Sequence, residues 1–297
     1  MRLFRQVWKD KLAALCLFFL AAILVAGIFA PFLAPHDPTE VRMELRFAAP
    51  SWDYWLGTDH LGRCVLSRLI FGIRPSVLWV LAALSVSVGL GAIAGLIAGY
   101  YRGKTDAVLM RICDVMLSFP GYAITLAVIG MLGPGLEHIL LAFVWMKWAW
   151  FARIVRTSVL QVADADYVKF SKALGVSDFR IMAKHIVPVS FPDIAVVSSS
   201  SFGSMILQIS GFSFLGLGIQ APNAEWGMML NEARAVMFSK PELMLAPGIA
   251  IVLVVSAVNF LSDALQVAFN PKLMTSRHKL QKPSAAAAVK LHGKEVA

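Results

Sequence analysis

The sequence predicts an all-α membrane protein with about six transmembrane helices, and three observations predict it. Apolar residues make up 58% of the 297-residue chain and charged residues only 15%, with a mean hydropathy of +0.71, whereas soluble domains carry about 25% charge. The apolar residues fall in six blocks, at 12–33, 77–100, 108–132, 136–153, 192–217 and 244–268, each near the ~20 residues a helix needs to cross a bilayer. Lys and Arg gather in every second gap between blocks. The blocks lack the two-residue alternation of a membrane β-barrel. Hydrocarbon requires each backbone N–H and C=O to be paired within its own segment, so each block is expected to be helical.

The first block follows Arg2, Arg5, Lys9 and Lys11. A signal peptide starts in the same way, but its apolar core spans 7–15 residues; about 22 here fit an uncleaved first helix. Pro31, Pro35, Pro38 and Pro50 stop that helix from continuing, and 34–76 is expected to be a long external loop. The second block carries Gly91, Gly95 and Gly99 on one face, a spacing that suits close helix packing. At its end, Ala98-Gly-Tyr-Tyr-Arg-Gly-Lys-Thr105 approaches the phosphate-loop pattern, but Ala98 replaces the first Gly and no buried strand precedes it. Nucleotide binding is therefore not expected there. Asp114 and Asp263 fall near expected cytoplasmic helix ends, within reach of Arg111 and Lys272.

In the fourth block Lys147 stands at membrane depth, and snorkelling to the interface is favoured over facing a cavity. Residues 154–191 form a long cytoplasmic loop. The fifth block carries Ser198–Ser201, Gly203, Ser204 and Gln208. Two readings stand open for it, helix packing or a polar path; on the second, Ser200, Ser204 and Gln208 line that path. The tail from Thr275 is basic and low in complexity, and is expected to be disordered. Three units result: 1–75, the first helix and external loop; 76–274, the core with its cytoplasmic loop at about 154–191; and 275–297, the tail.

Charge sets the orientation. With the N-terminus inside, about 19 Lys and Arg fall on the cytoplasmic side and about seven outside, so both termini are expected in the cytoplasm. This bias accounts for the net charge of +9. No basic face interleaved with aromatics points to nucleic acid. Cys16, Cys64 and Cys113 form no C-x-x-C pair and read as two small buried hydrophobes and one loop thiol. The six His residues lack ligand spacing, so no metal site is expected. No Ser-His-Asp or H-E-x-x-H pattern supports an enzyme, and no internal repeat supports an inverted-repeat carrier.

The cytoplasmic loop is the most informative stretch. Residues 165–174 favour a short helix, Gly175 suits the left-handed residue that ends one, and Ser177-Asp178 can cap the next, which Pro188 is expected to stop. A helix-turn-helix between two spans is a projecting knob for a soluble partner; the alternative is a helix lying on lipid headgroups.

Here the chain resembles the EAA loop of binding-protein-dependent permeases of bacterial ABC importers. Gly175 and Pro188 stand where that motif has its Gly and Pro, while Lys169, Phe170 and Ser171 replace its Glu-Ala-Ala. Leu56-Gly57-Thr58-Asp59-His60-Leu61-Gly62-Arg63 resembles the outer-loop motif of the dipeptide, oligopeptide and nickel permeases, with Cys64 in place of the usual Asp. Asp114–Pro120, Phe214–Gly218, Ala224–Met229, Asp263–Leu265 and Asn270-Pro271 fit the same branch, so the resemblance runs from about residue 10 to about 274.

The resemblance implies a type I importer permease, multi-pass in the bacterial inner membrane and in contact with its lipid. It implies a second permease subunit, two ATPase subunits that bind the ATP, an external solute-binding protein, and no cofactor on this chain. Tyr167, Lys169, Phe170, Ser171, Ala173, Leu174, Gly175, Asp178 and Pro188 become the candidates for coupling to the ATPase. Gly57, Asp59, Gly62, Arg63, Glu225 and Trp226 are the external-motif candidates, within segments 56–64 and 222–234 that would face the binding protein or gate the path. Lys147–Arg153 and Ala221–Trp226 look nearer to nickel-type permeases, which implies nickel or a metal–chelator complex as cargo, with dipeptides or oligopeptides the alternative. A stand-alone secondary carrier or channel, and a scaffold that transports nothing, are the rivals from other classes.

Overall fold

The structure, a computed structural model, describes residues 10–269; the expected tail and most of the N-terminal arm lie outside them. The described residues are helical apart from loops and one isolated bridge between Thr58 and Cys64. Five helices are long and apolar enough to cross a membrane, and a bent pair makes up to six.

Helix α1 (Lys11–Ile28) begins at Asp10, whose carboxylate accepts the Leu12 and Ala13 N–H groups at 3.0 and 3.4 Å. At its other end the Arg74 guanidinium donates to the carbonyls of Gly27 and Ile28, at 2.8 and 2.9 Å, which the helix itself leaves unpaired. Helix α2 (Val65–Tyr101) starts well before the expected 77, passes through a π-type stretch at Arg74–Trp79 and takes 12 residues from the expected external loop. Arg68 and Arg74 had lowered the hydropathy there without ending the helix. Cys64, read as a loop thiol, is the residue that opens α2 and is buried.

The expected third span, 108–132, is not one helix. It is α3 (Gly103–Ser118) and α4 (Gly121–Leu132), bent by 78°. Pro120 has no N–H for the ladder and drives the residue before it out of helical geometry, and Phe119 is extended at φ −93°, ψ 140°. Helix α5 (Leu136–Ala163) continues ten residues past the expected end at 153. Its charged end is held to α3: Arg156 bonds Asp106 through two nitrogens, both at 2.5 Å, and Arg153 bonds Asp114. Asp114 thus pairs with Arg153 rather than with the expected Arg111; Lys272, expected beside Asp263, lies outside the described residues.

After the short α6 (Asp166–Ala173), helix α7 (Asp178–Phe214) is continuous over 37 residues. Pro188 does not stop it. A π-type stretch at Met182–Ile186 precedes Pro188, and the shifted hydrogen-bond register there accommodates proline's missing donor. Helices α8 (Trp226–Arg234) and α9 (Glu242–Phe269) complete the described residues, α9 packing on α7, α8 and α1.

The most extensive packing joins α2 to α5. A Cβ added to Gly91, Gly95 or Gly99 would lie 2.5, 2.5 and 2.8 Å from Phe151 Cβ, the Ala152 carbonyl and Val159 Cγ1. Hydrogen at these positions is what lets the two backbones approach. Gly89 on the same helix has nothing within 4 Å of such a Cβ. Gly95→Val is therefore expected to destabilise the protein by about 1–3 kcal/mol through overpacking, and Gly89→Val to change little. Unfolding midpoints of the two variants purified in detergent check this.

Candidate functional site

Three places gather the residues singled out by sequence. The first is the turn between α6 and α7. Gly175 stands at φ +76°, a conformation that costs an L side chain strain. Its N–H donates to the Lys172 carbonyl at 2.9 Å, and the Val176 N–H donates to Ser171 at 3.1 Å. This 5→2 and 6→1 pair is the Schellman arrangement, and it closes α6 without help from a partner. Ser177 occupies the cap of α7, but its side chain makes no capping bond.

Behind the turn, Val168, Ile181 and Ile186 pack with Val155 and Val159 of α5 and with Tyr100 at the end of α2. Asp178 accepts the Tyr100 hydroxyl at 2.6 Å, and the Lys172 ammonium sits 4.2 Å over the Tyr100 ring. Arg102 reaches Asp164 at 2.7 Å and holds its carboxyl below the ordinary range. The rear of the knob is thus anchored. Its front is apolar and exposed: Tyr167 by 47%, Phe170 by 66%, Leu174 by 66% and Phe179 by 78%. Lys169, Ala173, Gly175 and Pro188 are also exposed, and Ser171 is half-buried with its hydroxyl donating to the Tyr167 carbonyl. Phe179 was not singled out from sequence; three residues past the Val176 that follows the glycine turn, it continues the apolar front.

The second place is the external loop. Gly57, Asp59, Gly62, Arg63, Glu225 and Trp226 are all buried, so these side chains do not form an outward surface. Arg63 donates to Asp59 at 2.7 Å and to Glu232 of α8 at 2.8 Å, while Arg68 donates to the same Glu232 oxygen at 2.7 Å. Gly62 is required by space as well as by its φ of +74°, since a Cβ there would lie 1.8 Å from the Arg42 carbonyl oxygen. Glu225 caps α8, accepting the Gly227 and Met228 N–H groups at 2.9 and 2.8 Å and the Ser76 hydroxyl of α2 at 3.0 Å. Burial pushes its carboxyl up, against those N–H groups and Ser76, which pull it down. The Trp226 indole donates to the Leu69 carbonyl at 2.9 Å. Together these residues fasten the loop and α8 to the start of α2.

Asp59, His60 and Glu232 bring ligand atoms within 4.8 Å of one another. Both carboxylates already carry guanidinium partners, so the cluster as built is a set of ion pairs, and it supports no metal centre.

The third place is a cavity of about 290 Å³ at the α3–α4 break, lined among others by Tyr122, Thr125, Met146, Lys147, Trp150 and Gln208. Lys147 was expected to snorkel; instead it lines this cavity, its ammonium 5.6 Å from the centre of the Trp150 ring. Gln208 lines it from α7. Ser204 and Ser200 stand one and two turns back along the same helix and do not line it; Ser200 is exposed, and the Ser204 hydroxyl donates to the Ser201 carbonyl. The phosphate-like stretch at 98–105 is the end of α2 and the start of α3. It offers no strand-loop-helix cradle.

Residues 91–275 match the family described as binding-protein-dependent transport system inner membrane component, and residues 2–50 match the N-terminal TM domain of oligopeptide transport permease C. The metal-staphylopine import system permease protein CntC of Staphylococcus aureus is 53% identical over 95% of this chain and 97% of that protein. The nickel transport system permease protein NikC of Escherichia coli is 35% identical over 90% and 96%. The dipeptide transport system permease protein DppC of Alkalihalophilus pseudofirmus is 37% identical over 91% and 89%. Among solved structures, an inward-facing form of the MetNI methionine ABC transporter has a chain of the same fold, with TM-score 0.55 and 14% identity over 68% of this chain and 96% of that one.

Removing Glu232 would leave Arg68 with only its longer contact to Asp59, at 3.6 Å, and one nitrogen of Arg63 buried without its acceptor. Breaking a buried pair from one side costs about 3–5 kcal/mol, so Glu232→Ala is expected to lower the amount of folded protein in the membrane sharply. Quantifying the detergent-soluble, monodisperse fraction measures it.

Proposed function

The chain belongs to the family of binding-protein-dependent transport system inner membrane components, the permeases of ABC importers, and on that premise we propose that it carries nickel or a metal–chelator complex inward using energy from separate ATPases. It is a multi-pass inner-membrane protein. Membership implies a partner permease, an ATPase and a solute-binding protein. Our reading of the assembly is a related but different permease beside this one, two ATPases beneath it and an external protein that delivers cargo. This chain binds no ATP itself. Both termini lie in the cytoplasm on this reading, which an even number of crossings supports: five spans and one bent pair.

The observation that carries the reading is the knob between α6 and α7, an apolar front of Tyr167, Phe170, Leu174 and Phe179 on an anchored base. Exposed apolar patches of this kind mark interaction sites. Lipid headgroups would also accept it, but the turn is rigid and closed, and a shaped cleft on an ATPase fits such a knob better than a fluid interface does. The external motif then acts as the clamp that holds the outer loop, and the surfaces facing the binding protein come from its exposed neighbours. The cargo follows from the relatives: the permease at 53% identity is named for metal-staphylopine import and one at 35% for nickel transport. Peptide cargo stays the second reading because a dipeptide permease is 37% identical.

Phe179→Asp places a charge where the wild-type ring is solvent-exposed, so the fold is expected to stand while the ATPase subunits no longer co-purify with the chain. Phe238, 92% exposed at the other end of the molecule, serves as control; Phe238→Asp is expected to retain them. Retention by both variants would remove the docking role. For cargo, radiolabelled nickel uptake is measured in cells lacking or carrying the chain, with a chelator and then excess dipeptide. Restored uptake that dipeptide does not compete is expected; competition would transfer the assignment to peptides.

A further inference from the structure

We propose that the cavity at the α3–α4 break is an anion-binding half-site on the translocation path, in which the Lys147 ammonium pairs with a carboxylate of the cargo. The inference rests on the permease reading and narrows its cargo: what passes is a carboxylate-bearing chelate, not a bare divalent cation. Lys147 is the twelfth residue of α5, so it lies about 16 Å along the helix from its outer end. In a hydrocarbon layer ~30 Å thick that is near the midplane. Ionisable side chains at that depth mark pathways and pair with a partner. Among the described residues Lys147 has no such partner. No Asp or Glu lines the cavity, and the nearby carboxylates of α3 are held by Arg153 and Arg156.

The cavity's chemistry sorts the possible occupants. A fixed ammonium repels a bare metal dication. The Gln208 amide can donate to a carboxylate oxygen that Lys147 neutralises. Tyr122 and Trp150 offer flat faces to the remainder of an organic ligand. At about 290 Å³ the space on one chain suits part of a small chelate, the other part meeting the partner permease. The helix break creates the room: Leu117, Phe119 and Gly121 line the cavity because Phe119-Pro120 turns α4 away.

The test uses the complete importer in membrane vesicles, with Cys16, Cys64 and Cys113 replaced by alanine and a single probe thiol introduced as Gln208→Cys. Reaction rates are compared for an anionic and a cationic methanethiosulfonate reagent. With Lys147 present the anionic reagent is expected to be favoured, and Lys147→Met to lower the anionic-to-cationic rate ratio by about tenfold, while Lys147→Arg preserves it. An unchanged ratio in Lys147→Met overturns the proposal, as does a Gln208→Cys thiol that neither reagent reaches. In parallel, cells with all subunits, given radiolabelled nickel as its citrate complex, are expected to take it up about tenfold more slowly with Lys147→Met and normally with Lys147→Arg. Absence of nickel uptake in the unaltered cells would defeat the cargo reading alone, and the thiol rates would still decide the anion site.

Discussion

Three hydrogens on α2 set the spacing on which much of this molecule depends. Where Gly91, Gly95 and Gly99 face α5, any side chain would meet α5 backbone or Cβ atoms within 3 Å. In lipid there is no hydrophobic gain from bringing two apolar helices together, so close packing has to supply the attraction. The partner α5 carries Lys147 toward the cavity, Arg153 and Arg156 toward α3, and Val155 and Val159 under the docking turn. An increase in the α2–α5 distance would move all three at once.

The outer face relies on a different force. Arg63, Arg68, Asp59 and Glu232 are mostly hidden from water, and taking four charges out of solvent costs more than an isolated pair returns. What the arrangement supplies is position. A guanidinium fork and a carboxylate fit in few geometries, so the loop from Arg42 to Arg63 and helix α8 are fixed against α2 in one register. Glu225 and Trp226 repeat the connection one step deeper, through Ser76 and the Leu69 carbonyl.

Local signals survived the passage from sequence to structure and non-local ones did not. Gly175 was legible because a glycine turn needs nothing beyond its own neighbours, and the glycine face of α2 was legible because its spacing is the helix period. Helix ends were misjudged where charged residues lower hydropathy without breaking a helix, as at Arg68, Arg153 and Arg156. Pro120 and Pro188 look alike in sequence, yet one breaks a span and the other lies within a helix. The difference is the π-type stretch before Pro188, which no residue announces. Of the cavity only Lys147 and Gln208 stand out in the sequence, since its lining is assembled from α3, α4, α5 and α7. Lys147 was visible as an anomaly, but its direction depends on a bend elsewhere in the chain. The external motif is visible as a pattern, while its buried, fastening geometry depends on Glu232, which lies in segment 222–234 but outside the motif residues.

The unbroken α7 has a mechanical consequence. Its 37 residues make a rod about 55 Å long, with the docking turn at one end and, at the other, the loop leading to α8. A tilt of about 10° around its middle would swing each tip by about 5 Å in opposite directions. Motion applied at Phe179 would therefore arrive at the outer face inverted in sense and undiminished in size, with compliance only at Met182–Ile186 and the two prolines just beyond it. A lever of this form opens one side of a barrier by the same stroke that shuts the other.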